Sequence, residues 1–304
     1  MAITAGLVKE LRDLTGAGMM DCKQALSTTD GDIVLAAEEL RKKGLSAAAK
    51  KSGRIAAEGL VGVAFSGTTG SVVEVNAETD FVARNEIFQG FVSEVANIAL
   101  ETAESEILET TMANGKTVET TLTDNISTIG ENQSFRRSQT LSVSNGVVVS
   151  YIHGALAEGL GKIGVLVALE SDGDKAVLEG LGKQLAMHVA AAKPQFNTAD
   201  DVESSVIEAE RKFLTEQALE EGKPAEIVAK MIEGRLRKFK QEIVLADQVF
   251  VIDGETKISD VVANTAKELG VDIKLSGFVN FVLGDGIEKK EENFAEEVAK
   301  TMGA

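Results

Sequence analysis

GSVVEVNAETDFVARNEIFQGFVSEVANI, residues 70–98, changes its hydrophobic period halfway along. From Gly70 to Asn76 apolar residues alternate as in a strand, whereas Phe88, Phe91, Val92, Val95 and Ile98 recur at helical spacing. Asn85, with Glu86 behind it, makes a helix N-cap, which leaves Thr79 to Arg84 in a turn between the two elements. The same figure recurs downstream. GVLVALE (164–170) is followed by the turn SDGD and a helical pattern carrying Leu178, Leu181, Leu185, Met187 and Val189. Each copy is preceded by another strand-like run, LVGVAF (60–65) and VVVSYIHG (147–154). The expected fold is therefore α+β, with a core of two related strand-strand-helix subdomains at 55–140 and at 141–198 plus 241–284.

Outside this core the chain reads as helical. Residues 1–54 predict a three-helix module: Leu7, Leu11 and Leu14 mark the first helix, MDCKQAL the second, and IVLAAEELRKK the third. Asp30-Gly31-Asp32 caps the third helix, Gly44 is expected to end it, and the Ala/Lys/Gly-rich stretch to about residue 56 reads as a tether. Residues 199–240 predict an inserted antiparallel coiled-coil hairpin. Val202, Val206, Ala209 and Phe213 line its first helix, and Ile227, Val228, Met231, Ile232, Leu236 and Phe239 its second, with Pro224 at a first helical turn. Next come a strand (VFVI, 249–252), a helix (258–270) and a strand (277–283). A C-terminal helical module is expected at 285–304, with an amphipathic helix from about Glu291 to Thr301.

The 31 basic and 48 acidic residues give a net charge of −17, which argues against a general nucleic-acid binder, because phosphate contacts need clustered Lys and Arg. The charge is unevenly spread. RKKGLSAAAKKSGR (41–54) holds six bases and no acid, whereas residues 55–134 hold thirteen acids against Arg84 and Lys116. The basic stretch reads either as a solvated helix end or as a contact for a partner of mixed charge. No apolar run is long enough to cross a bilayer, the N-terminus has no apolar secretory core, and the single Cys22 fits a reducing compartment. These features imply a cytoplasmic protein.

Signatures of bond-making chemistry are weak. Gly159-Leu-Gly161-Lys-Ile-Gly164 satisfies GxGxxG, but it precedes a strand instead of opening a helix, so no helix N-terminus is aimed at a phosphate. His153 and His188 have no Cys or His at metal-ligand spacing, and His188 in LAMHVAA reads as a satisfied buried histidine. Asp172 and Asp174 belong to a strand-to-helix turn, and Cys22 reads as a small packing residue. No metal site and no cofactor are expected. What remains is apolar material at turns: Met19-Met20 after the TGAG break, and Phe81-Val82 after Asp80. Two readings of Phe81 stay open on spacing alone. It folds back on the core behind an Asp80-capped turn, or it is a wedge beside a negative charge, aimed at another protein.

TGAGMMDCKQAL, EVNAETDFVARNEIF, IGENQSFRR, SYIHG, AMHVAAAKPQF, GKPAEIVAKMIEGRL and GDGIEKKEENFAEEVA, in that order and over nearly the whole chain, resemble the elongation factor Ts family. Residues 101–128 match least well, and Gln248-Val249-Phe250 stands where the family usually has a proline before the Phe. The resemblance implies a guanine-nucleotide exchange factor for the GTPase elongation factor Tu, with a UBA-like N-terminal module and no bound nucleotide of its own. It implies that Thr79, Asp80, Phe81 and Val82 dislodge the GTPase's magnesium ion. Ile129, Gly130, His153, Met19 and Met20 would make other partner contacts. Two rival readings are an acidic adapter whose three-helix module binds a peptide or a ubiquitin-like partner, and a nucleotide-dependent enzyme using the 159–164 loop. Oligomeric state is open, since the hairpin could pair within one chain or between two.

Overall fold

Residues 3–220 and 225–288 are described by the computed structural model. The expected amphipathic helix near the C-terminus, most of the 285–304 module and the Gly222-Pro224 turn lie outside these residues. The fold is α+β.

Three helices open the chain: α1 (Ala5–Thr15), α2 (Met19–Thr28) and α3 (Ile33–Lys51). Thr4 Oγ1 accepts the Leu7 N–H, Gly16 at φ 72° closes α1, and Asp32 caps α3 through the Leu35 N–H. Val8, Leu11, Cys22, Ala25, Leu26 and Ala36 form their small core, so Cys22 is indeed a packing residue. The expected stop at Gly44 and the tether beyond it are overturned: α3 continues without a break to Lys51. Gly44 is buried against Ser127 of α5 (Val118–Ile129), and the packing of α3 on α5 carries the helix past it. Tertiary packing thus outweighs the local preference to stop.

A four-stranded antiparallel sheet follows. β1 (Glu58–Ser66), β2 (Thr69–Ala77), β3 (Gln133–Ser142) and the short β5 (Leu160–Gly161) lie in the order β3-β2-β1-β5. β4 (Gly146–His153), β6 (Ile163–Glu170) and β7 (Lys274–Val282) form a second antiparallel sheet, ordered β4-β6-β7. The period change that opened the reading is visible as β2 followed by α4 (Glu86–Ile98), and its echo as β6 followed by α6 (Lys175–Ala192). Asn85 caps α4 by accepting from Ile87 and Phe88, and Asp174 caps α6. α4 and α5 cover the first sheet around Phe88, Phe91, Val92 and Val95, while α6 covers the second around Leu178, Leu181 and Leu185. The opposite faces meet through Val61, Val72, Val148, Leu166 and Phe281. The GxGxxG stretch belongs to this junction. A Cβ on Gly161 would stand 2.4 Å from Ile152, and one on Gly164 2.5 Å from Val61, so these glycines admit a close strand approach.

α7 (Ser204–Glu220) and α8 (Ala225–Ile243) pack as a hairpin around Leu214, Ala218, Val228, Ile232 and Leu236, with Ile207 beside them. The expected stripe on α7 is one register off, since Phe213 is 60% exposed while Leu214 and Ala218 are buried and Ile207 is partly buried beside them. Steps of seven and four keep one face inward as well as the four-three-four count did, and only the partner helix distinguishes the two. VFVI is not a strand. Val249 makes a single bridge to Lys257 and a turn follows, leaving Val249, Val251 and Ile252 half exposed. α9 (Ile258–Leu269) then leads into β7.

Candidate functional site: the loop after the second strand

The β2–β3 ladder ends at the pair Ala77–Gln133. Beyond it the two backbones part and their N–H groups need other acceptors. Two glutamates supply them reciprocally. Glu131 Oε2 accepts from the Thr79 N–H at 2.9 Å while its Oε1 accepts from the Thr79 hydroxyl at 2.8 Å. Glu78 Oε1 accepts from the Asn132 N–H. Asn132 Nδ2 donates to the Arg54 carbonyl at 2.8 Å, and the Arg54 guanidinium pairs with Glu78 at 3.3 Å. The end of α3, the β2 exit and the turn after α5 are thereby tied together. Gly130 makes that turn possible: it caps α5 in the left-handed region at φ 91°.

On this base stands the Thr79–Val82 loop. Phe81 is 79% exposed, whereas Val82 is 3% exposed and packs with Ala83 in the core of the first sheet. The two apolar residues expected to project together thus divide their roles, since a short 3-10 turn (Val82–Arg84) rotates Val82 inward. Phe81 occupies the N-cap position of that turn and no side chain caps it, so the Asp80-capped alternative does not describe the loop. Asp80 is exposed. Gln89 Nε2 donates to the Ala83 carbonyl at 2.8 Å, closing the loop from the helix side.

Of the other anticipated residues, Ile129 and Gly130 are tied to this loop, whereas Met19, Met20 and His153 stand on other elements. Ile129 is half-buried against the same core and precedes Gly130, so the Glu131 bonds bring 129–130 and 79–82 together. Met19 and Met20, at the start of α2, are 46% and 75% exposed. Between the end of α1 and the α4–α5 pair lies a cleft of about 310 Å³ bordered by the exposed Leu14 and Ile87 and by Phe91. His153 ends β4 on the other sheet, exposed, with Nδ1 3.3 Å from the Tyr151 hydroxyl. Three of the six bases of the basic stretch are engaged internally: Lys43 pairs with Asp21, Lys51 Nζ donates to the Ile126 carbonyl, and Arg54 pairs with Glu78.

Two buried polar centres support this frame. Glu74, wholly buried in β2, binds Arg136 at 2.9 Å and Arg137 at 2.7 Å, and accepts from Asn76 and from the Gly284 N–H. Burial pushes its carboxyl up, but the Gly284, Asn76, Arg136 and Arg137 hydrogen bonds outweigh that and hold its pKa below the ordinary value. Arg137 also lies 4.2 Å over the Phe281 ring. His188, fully buried, has Nε2 2.8 Å from Gln248 Oε1 and accepts the Val251 N–H at Nδ1. Burial lowers its pKa against the opposing Gln248 bond, and the Val251 donor makes it the neutral Nε2–H tautomer, a satisfied core histidine as expected.

Glu78, Glu131, Asn132 and Arg54 were not singled out beforehand. Glu131 and Asn132 lie within IGEN, but acids at a strand exit carry no periodic signal. Nor was the exposed Val249-Val251-Ile252 group, whose alternation imitates a strand. Among the described residues no three His, Cys, Asp or Glu cluster as a metal site, and no helix is long and apolar enough to cross a membrane.

Residues 78–285 match the family model described as "Elongation factor TS". The chain is 58% identical over 304 residues to elongation factor Ts of Rhodospirillum rubrum, an alignment covering 99% of this chain and 98% of that protein. It is 56% identical to the Zymomonas mobilis protein, over 99% of each chain. To that of Brucella anthropi it is 54% identical over 300 residues, 98% of each chain. The chain therefore belongs to the elongation factor Ts family.

Proposed function

We propose that this chain is a guanine-nucleotide exchange factor that binds elongation factor Tu in its GDP form and drives GDP out. The observation that carries the reading is Phe81, an aromatic ring left almost fully in water on a loop whose neighbours on both sides are tied down. Phe81 enters the GTPase as a wedge with Asp80 beside it. The shift it causes dislodges magnesium, which otherwise neutralises phosphate charge and holds the nucleotide. Thr79 and Val82 set the wedge's position. Met19 and Met20, Ile129 and Gly130, and His153 grip the partner elsewhere. In this reading residues 1–54 form a UBA-like module, 55–140 and 141–198 with 241–284 two related core subdomains, 199–240 a coiled-coil arm, and 285–304 a C-terminal module. The protein works in the cytoplasm, without a cofactor, and contacts neither nucleic acid nor membrane directly.

Exchange needs no nucleotide site on this chain. If factor and nucleotide antagonise each other on one GTPase, each lowers the other's affinity by the same factor. A tenfold loss of nucleotide affinity needs about 1.4 kcal/mol of differential binding. Burying a Phe ring contributes roughly 1.5–3 kcal/mol. The wedge thus accounts for about one or two powers of ten, and the multi-site grip for the rest. The test is release of a fluorescent GDP analogue from purified elongation factor Tu. Substoichiometric amounts of this chain should accelerate it, and adding GDP with magnesium should dissociate the captured complex. An unaltered release rate at saturating chain would overturn the reading. Partner binding without any acceleration would favour an adapter instead.

A further inference from the structure

We infer that Glu131 is a positioning residue for Phe81: its carboxylate sets the Thr79–Val82 loop in the shape that lets the ring enter the partner. The inference rests on the exchange reading above and adds a residue that stands outside the presumed contact set. Three observations carry it. First, both Glu131 oxygens are spent on one residue, Thr79, taking its backbone N–H at 2.9 Å and its hydroxyl at 2.8 Å. Hydrogen bonds to a charged acceptor are the strong kind, and two of them fix both position and rotation of the loop's first residue. Second, Glu131 stands on a rigid mount, directly after the Gly130 cap of α5 and before Asn132, whose own N–H is held by Glu78. Third, among the described residues the other restraints flank Thr79 and Asp80: the Ala77–Gln133 pair and Glu78 before them, and after them the Arg84 N–H on the Phe81 carbonyl, buried Val82 and Ala83, and the Gln89 bond to the Ala83 carbonyl. Without Glu131, Thr79 and Asp80 can rotate between the ladder end at Ala77 and the turn that starts at Phe81, and the ring samples directions other than the productive one. Glu131 then acts through Phe81 and needs no contact with the GTPase.

The experiment measures fluorescent GDP release from elongation factor Tu over a range of factor concentrations, for wild type, Glu131→Ala, Glu131→Gln, Phe81→Ala and the double variant Glu131→Ala/Phe81→Ala. Expected for Glu131→Ala is a maximal release rate about tenfold lower, with little change in half-saturating concentration, because the other contacts still hold the GTPase while the productive loop conformer becomes a minor population of the complex. Glu131→Gln keeps one acceptor and one donor facing Thr79 and should recover most of the rate. On the Phe81→Ala background the Glu131→Ala change should add little, since there is no ring left to place. Amide hydrogen exchange should quicken at Thr79 in Glu131→Ala while β1, β2 and α4 stay protected. A wild-type plateau in Glu131→Ala would overturn the inference. So would a loss that appears only as a higher half-saturating concentration, the mark of a smaller folded fraction, or a loss that persists in full without Phe81. If wild type itself fails to accelerate release, the exchange reading falls and this role with it. If wild type works and Glu131→Ala matches it, only the role of Glu131 falls.

Discussion

Adjacent residues Phe81 and Val82 allow function and folding to be separated by two single substitutions. Phe81→Ala removes a ring that is 79% exposed in the free protein. Surface changes of this kind shift stability by about 0.5 kcal/mol or less. The same ring buried in a partner contributes roughly 1.5–3 kcal/mol, so stimulated GDP release should fall about 10- to 100-fold while the melting curve stays put. Val82→Ala does the reverse. Val82 is 3% exposed within the core of the first sheet. Deleting its two methyl groups costs about 1.6 kcal/mol of transfer free energy plus a cavity contribution, about 2 kcal/mol in all. The assay pairs release kinetics with thermal and urea unfolding of each variant. Val82→Ala, at a temperature where it is still folded, should lose less exchange activity than Phe81→Ala, since it loosens the ring's mount without removing the ring. If Phe81→Ala unfolds more easily but releases GDP at the wild-type rate, the ring is structural and the wedge argument is wrong.

Other expectations follow from the buried groups. Glu74→Gln strips two arginines and the Gly284 N–H of their anion and should cost about 3 kcal/mol in urea unfolding. Because the folded pKa of Glu74 lies below its unfolded value, its stabilisation is complete above the ordinary carboxylate range and is lost as pH falls through the folded value. In Glu74→Gln that part of the acid sensitivity should vanish. His188 also has a depressed folded pKa, so its protonation favours the unfolded chain. Stability should fall as pH drops below 6.5 toward the folded value, and His188→Asn should flatten that slope while costing about 1–3 kcal/mol for unpaired neighbours. Gly44→Ala should be neutral or stabilising by up to about 1 kcal/mol, since its new methyl meets Ser127 at an ordinary 3.6 Å. Gly161→Ala, with Ile152 at 2.4 Å, should lower the melting temperature clearly.

Legibility followed the range of the forces involved. Strand and helix at 70–98 and 164–189 were readable because one face of each is buried, which imprints a period on consecutive residues. Asn85 and Asp32 were readable because a cap acts within three residues. Gly44 misled because its reason lies on α5, more than eighty residues away in the chain. Residues 249–252 misled because alternation looks the same whether it faces a sheet or water. β3 (Gln133–Ser142) passed unread, since it carries Arg136 and Arg137 where an apolar strand face is expected, and only the Glu74 they neutralise explains them. Within the candidate site the division is similar. The Phe81 loop could be located by sequence, but whether the ring pointed inward or outward depended on Glu131 across the β2 exit.

The stiffness of that loop decides whether a single ring can do useful work. Fixing the backbone of one residue costs about 1–2 kcal/mol. Were Thr79 to Val82 free in solution, ordering four residues on binding would cost about 4–8 kcal/mol, more than the roughly 3 kcal/mol a buried Phe can return. A mobile Phe81 would then stay out of the GTPase even while the other proposed contacts held it. In this fold most of that cost is met when the chain folds: Thr79 is held twice by Glu131, Val82 and Ala83 are buried, Gln89 grips the Ala83 carbonyl, and Asn85 caps the helix that follows. The ring's burial is then available to the GTPase as differential binding. Exposure of an apolar side chain is ordinary on a protein surface. Exposure at the tip of a loop restrained from both ends is what suits Phe81 to the wedge role proposed above.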